Sequence, residues 1–128
     1  MPPQSSATIP DLTDTEYWVV RTTLRERYAQ DIPMEQADAE IRINPADRTL
    51  SLCPVIYWER EGCHFVLVKT GESRYRCQFY YRLHRQMSTD ISEYDHIGEC
   101  TVSLLQAQAD HVAQERGDLP IKRRLSVG

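Results

Sequence analysis

"CHFVLVKTGESRYRCQFYYRLH", residues 63–84, decides the fold. Its second half alternates without a break. Tyr75, Cys77, Phe79, Tyr81 and Leu83 fall on one side, and Arg74, Arg76, Gln78, Tyr80, Arg82 and His84 on the other. A period of two marks a half-buried β-strand. "CHFVLVKT" is a second run rich in β-branched and aromatic residues, and the residues between the runs have turn composition. The stretch reads as an antiparallel hairpin.

Two registers are open to it. A two-residue Gly71-Glu72 loop suits a type II′ turn, which wants glycine first. It sets Cys63 opposite Tyr80 and Lys69 opposite Arg74, an unfavourable like-charge pair. A three-residue loop shifts the partners by one and gathers Cys63, Phe65 and Leu67 with Tyr75, Cys77, Phe79 and Tyr81. Turn chemistry favours the first register and burial the second. A one-residue slip carries every side chain to the other face, so burial is given the greater weight. In the burial-favoured register His64 joins Arg76 and Tyr80.

Upstream, Thr13 and Glu16 have capping-box spacing, and Tyr17, Val20, Leu24 and Tyr28 recur at helical spacing. This predicts a helix from Thr13 that ends near Asp31, because Pro33 bars its continuation. "ADAEIRIN" alternates Ala39, Ile41 and Ile43 with polar residues and reads as a strand. "TLSLCPVIYW" reads as the next strand, with a bulge or an edge position expected at Pro54. Downstream of the hairpin, residues 85–99 read as a polar, acidic loop with at most one helical turn. "CTVSLLQAQADHVAQERG" reads as a helix with Thr101 as a cap, Gly117 at its end and Val102, Leu105, Ala109 and Val112 as its stripe. A rival reading makes residues 99–105 a fifth strand, because Thr and Val favour strands.

The predicted order is an N-terminal helix, a four-stranded (possibly five-stranded) antiparallel meander and a C-terminal helix. This is an α+β fold with the helices on one sheet face. At 128 residues one domain is expected, over residues 13–117. Residues 1–12 are a flexible lead and residues 118–128 a mobile basic tail. In the tail, "KRRLS" has the local pattern of a basophilic-kinase acceptor at Ser126.

The formal net charge of -4 argues against a general nucleic-acid binder, so nucleic acid is an unlikely partner. No run approaches the ~18 apolar residues of a membrane span. The N-terminus has neither a basic segment nor an apolar run, so no secretory signal is read and a cytoplasmic location is expected. There, the cysteines Cys53, Cys63, Cys77 and Cys100 are expected to be reduced.

Cys63 and Cys77 sit three or four positions apart along the hairpin in either register, about 10 Å or more. A disulfide needs Cα atoms within about 7 Å, so these two do not bond. Cys53 and Cys77 flank the intervening strand and are also too far apart. No pair of cysteines has the short spacing with which zinc sites begin, and His96 with Cys100 is a weak pairing. The thiols read as small buried hydrophobes, with no metal and no cofactor. The acidic residues Asp90, Glu93, Asp95 and Glu99 fit no calcium loop and read as solvated.

No nucleophile elbow, P-loop or dinucleotide fingerprint is present, so the reading leans away from an enzyme. The feature that carries most information is the stripe Arg74, Arg76, Gln78, Tyr80, Arg82 and His84, with His64 as a possible addition. Arginine and tyrosine alternating on an uncovered sheet face suit a protein interface. The expected function is that of a small accessory or adaptor protein, without catalysis of its own, binding a protein partner through this stripe. The alternative is a small-ligand binder or enzyme with a pocket between sheet and helices lined by Trp18, Tyr57, Trp58 and Tyr81.

Overall fold

The structure is a computed structural model that describes residues 9–82, 85–88 and 93–116. The first helix, α1 (Asp14–Tyr28), starts as the sequence predicts. Thr13 Oγ1 accepts from the Glu16 backbone N–H at 3.0 Å, and Glu16 Oε1 accepts from the Thr13 N–H at 2.7 Å. Ala29 closes the helix in the left-handed region, its N–H donating to the Arg25 carbonyl at 2.8 Å. Val20 and Leu24 are buried, with Tyr17 and Tyr28 packed at the margin of the core.

Five antiparallel strands follow as a meander: β1 (Glu35–Ile41), β2 (Ser51–Arg60), β3 (Cys63–Gly71), β4 (Arg74–Arg82) and β5 (Arg85–Ser88). The β2–β3 turn places Glu61 and Gly62 both at positive φ, 55° and 81°. This is the type I′ pattern, whose twist matches that of the flanking strands. The β3–β4 hairpin adopts the burial-favoured register: Phe65 faces Phe79, Leu67 faces Cys77 and His64 faces Tyr80. The register shifts between Lys69↔Tyr75 and Gly71↔Arg74, and the left-handed residue of the turn is Ser73, φ 55°, not Gly71, so the glycine-first turn is not used. Pro54 lies neither on an edge strand nor at a bulge. The β1–β2 register runs through Asp38↔Pro54 without a shift, and the β2–β3 pairing stops at Val55. The proline stands where the ladder toward β3 has already ended.

The fifth strand differs from the sequence reading. It is Arg85–Ser88, in the stretch expected to be loop, and residues 99–105 are helical. Helix α2 (Ile97–Arg116) begins five residues earlier than the Thr101 cap implies. Thr101 is inside the helix, fully buried, with its hydroxyl donating to the Ile97 carbonyl at 2.8 Å. The inward stripe is Ile97, Cys100, Leu104 and Leu105, and Val102 is 57% exposed. Val and Thr favour strands when they line a pleated surface, but here both sides of the stripe meet α1 and the sheet at helical spacing.

Both helices lie on one sheet face. The core joins Val20 and Leu24 of α1, Ile56 and Trp58 of β2, Cys63, Phe65 and Leu67 of β3, Tyr75, Cys77 and Phe79 of β4 and the inward stripe of α2. Trp58 stacks on Phe65 with centroids 5.2 Å apart, and Phe65 meets Phe79 at 6.3 Å. Each such side chain contributes roughly 1.5–3 kcal/mol by leaving water. The lead 1–12 and tail 118–128, with Ser126, fall largely or wholly outside the described residues. No helix among the described residues is long and apolar enough to cross a membrane.

Candidate functional site

The sheet face turned away from the helices carries the alternate residues of the same strands. It divides into two halves along the strand direction. In the half near the β3–β4 turn, Cys53, Val55 and Thr70 are buried although no helix lies over them. An arginine explains the cover. The Arg76 guanidinium donates to the Ile43 carbonyl at 2.8 Å. Ile43 follows β1, three strand positions from β4, about 14 Å at the usual spacing. An arginine side chain cannot span that distance, so the chain leaving β1 has turned back over the sheet. From the other side Glu93 arrives: its carboxylate accepts from Thr70 Oγ1 at 2.9 Å and lies 3.5 Å from Arg76 and 3.7 Å from Arg74.

In the other half, Tyr57, His64, Val66, Gln78 and Tyr80 are only half-buried. Here three rings form a row across β2, β3 and β4. His64 stacks on Tyr80, directly opposite it, with centroids 4.9 Å apart and planes at 13°. Tyr57, diagonal to His64, stacks on its other side at 5.9 Å and 22°. The Tyr57 hydroxyl and His64 Nδ1 share a hydrogen bond of 2.6 Å. Burial, with Glu59 nearby, holds the Tyr57 hydroxyl above its ordinary range, so it stays protonated. His64 is sandwiched between the two tyrosines, and the Gln78 side chain is half-buried on the same patch.

The predicted stripe is therefore sorted by the structure. Gln78 and Tyr80 lie on the half-buried patch, and His64 joins them as the burial-favoured register implied. Arg76 is spent on holding Ile43 and Glu93, and Arg74 is exposed beside Glu93. Arg82 continues the row by its place in β4, and His84 lies outside the described residues. Tyr57 is the member the stripe lacked; its parity on β2 puts it on this face once the β2–β3 register is known. Of the acidic residues, Glu93 is a bridging group, Asp95 and Glu99 are exposed, and Asp90 lies outside the described residues.

The rings of the alternative reading do not converge on a pocket. Trp58 is filled into the core, Tyr57 faces the opposite side of the sheet, and Trp18 is 60% exposed on the outside of α1. Tyr81 is half-buried on the helix side, its hydroxyl accepting from Gln108 at 2.8 Å. A surface groove of about 620 Å³ instead lies between the helices, bordered by Thr23, Tyr94, His96 and Val102.

On the helix side, one polar cluster escapes the sequence reading. Lys69 is 3% exposed, and its ammonium donates to Glu16 Oε1 at 2.8 Å and to the Asp11 carbonyl at 2.9 Å. The Tyr75 hydroxyl donates to the other Glu16 oxygen. Burial pushes the Glu16 carboxyl up, but the bonds from Lys69, Tyr75 and the Thr13 backbone outweigh it and hold it below the usual carboxylate range. The cluster fastens the helix start to the sheet. Its signal is parity: Lys69 shares a face with Cys63, Phe65 and Leu67.

All four cysteines are buried. Burial raises the Cys63 thiol to about 11 and also raises Cys53. Among the described residues no group of three His, Cys, Asp or Glu side chains is placed to hold a metal. Compared with known proteins, the chain matches no family model, and no curated protein or solved structure matches it significantly.

Proposed function

We propose that the protein is a small accessory or adaptor domain, cytoplasmic and without catalysis of its own, that binds a protein partner through the half-buried patch Tyr57, His64, Gln78 and Tyr80. Arg74 flanks this patch, and Arg82 and His84 extend it along the chain. The supporting observation is the stacked row Tyr57–His64–Tyr80. It is a rigid aromatic surface that needs little further ordering to be buried, and tyrosine is enriched where binding energy concentrates.

The same geometry speaks for protein over nucleic acid. A single strand binds by stacking its bases on exposed ring faces. Here both faces of His64, and the face of each tyrosine turned toward it, are taken up within the row. Glu35 and Glu59, paired opposite Tyr57 and His64, set carboxylates beside the row, and the net charge is -4. Both features disfavour a phosphate backbone.

The test is capture of partners with the wild-type chain, followed by calorimetric affinity for the recovered partner. Tyr57→Ala with Tyr80→Ala is expected to weaken binding at least about tenfold with the melting temperature within a few degrees of wild type. Unchanged affinity in a folded double variant rejects the patch as the interface.

A further inference from the structure

We propose that Cys77 and Cys100 form an intramolecular disulfide that clasps the first turn of α2 to β4. In sequence the two are remote, and no strand register relates them. The fold brings them together because Cys77 takes the helix-facing side of β4, opposite Leu67, while Cys100 heads the inward stripe of α2. The Cys77 thiol donates to the Cys100 carbonyl at 3.7 Å. A sulfur 3.7 Å from the other cysteine's backbone carbonyl puts the two residues in direct contact between β4 and α2. Cys63, by contrast, lies four residues from the Leu67↔Cys77 rung along β3. No third metal-ligating side chain joins the pair among the described residues, so the chemistry open to it is between the two sulfurs.

The oxidant is a low-molecular-weight disulfide such as oxidised glutathione. One cysteine thiolate attacks a sulfur of the oxidant, forming a mixed disulfide and expelling one glutathione thiolate. The second cysteine thiolate then attacks the protein sulfur of that mixed disulfide. The Cys77–Cys100 bond forms and the second glutathione thiolate leaves. The two protons lost by the cysteines end on the two released thiols, and two electrons pass to the oxidant. In the closed fold the pair is slow to react. Cys100 is fully buried, and its thiol is held far above its ordinary range by the Cys77 thiol and by burial. Reaction follows when the first turn of α2 lifts from β4. Once formed, the bond closes a loop that contains Glu93 and Tyr94. These are the residues that brace Arg74 and Arg76 and pair with the backbone of Tyr75.

The full chain is unfolded in urea with reductant and refolded in glutathione redox buffers, so that both thiols have equilibrium access to the oxidant. Free thiols are then blocked and the protein is digested with trypsin without reduction. Each cysteine falls on its own tryptic peptide: residues 49–60, 61–69, 77–82 and 86–116. The expected product links 77–82 to 86–116 with Cys53 and Cys63 blocked. The oxidised protein is expected to melt about 5 °C above the reduced one, a shift lost in Cys77→Ser and in Cys100→Ser. A link through Cys53 or Cys63, links between chains only, or no linked peptide at any redox ratio overturns the proposal. A Cys77–Cys100 link with no rise in melting temperature overturns its role as a clasp.

Discussion

The two faces of the sheet are built from alternate residues of the same strands, yet they bury their side chains by different means. On the helix side, α1 and α2 supply a continuous apolar cover, and Trp58, Phe65 and Phe79 are almost wholly out of water. On the other side, half of the face is closed by two long-range polar ties, Arg76 to Ile43 and Glu93 to Thr70, and the other half stays open around the ring row. The first arrangement draws its strength from area removed from water, which has no preferred direction, together with close packing. The second depends on a few directional contacts, so single substitutions should release it without unfolding the protein.

The largest effect is expected inside the helix-covered face. Phe65→Ala should lower unfolding free energy by about 3–5 kcal/mol in urea denaturation, through lost transfer energy and a cavity between Trp58 and Phe79. A loss under 1 kcal/mol would show that this face is not the main core.

Next is Glu16→Gln, which leaves the buried Lys69 ammonium without its counter-ion and should cost about 3 kcal/mol. The sign of the pH dependence follows from the lowered carboxyl of Glu16. Its contribution is fully present above the unfolded-chain carboxylate range and is lost as pH falls through that range toward the depressed folded value. Acid titrations of stability should therefore be flatter in the Gln variant than in the wild type.

Arg76→Ala should cost less, about 1–2 kcal/mol, because the guanidinium is partly exposed. Its sharper signature is local. Cys53, buried under the segment that Arg76 holds, should alkylate faster in the native protein while Cys63 stays protected. Unchanged protection of Cys53 would separate its burial from the Arg76 tie. Tyr80→Ala on the open half should change stability least, within about 1 kcal/mol, while weakening the proposed partner's binding about tenfold.

How far the sequence reaches differs between these regions. The capping box of α1 is local chemistry between residues three apart, and it appears as read. The hairpin register was legible because one face had to be apolar, and that demand overrode the preference of glycine for the first turn position. The start of α2 was not legible. Thr101 has the composition of a cap, and its hydroxyl in fact bonds one turn back inside the helix. β5 was missed for a related reason: Arg85–Ser88 is polar and short, and its pairing is with β4, a partner no local pattern names. In the binding stripe, residue types pointed to an interface, but nothing in the strand itself separates Arg76, which holds the structure, from Tyr80, which faces outward.

By itself, the sequence determined the α+β class, the strand alternation and the inward set of the central hairpin. These follow from periodicity and burial, which act over a few residues. Only the tertiary structure decided which side chains meet across elements: Lys69 with Glu16, Arg76 with Ile43, Cys77 with Cys100, and Tyr57 with His64 and Tyr80. Each of these contacts joins separate elements of the chain, and their partners are chosen by packing and chain reversal, which no period of two or 3.6 records.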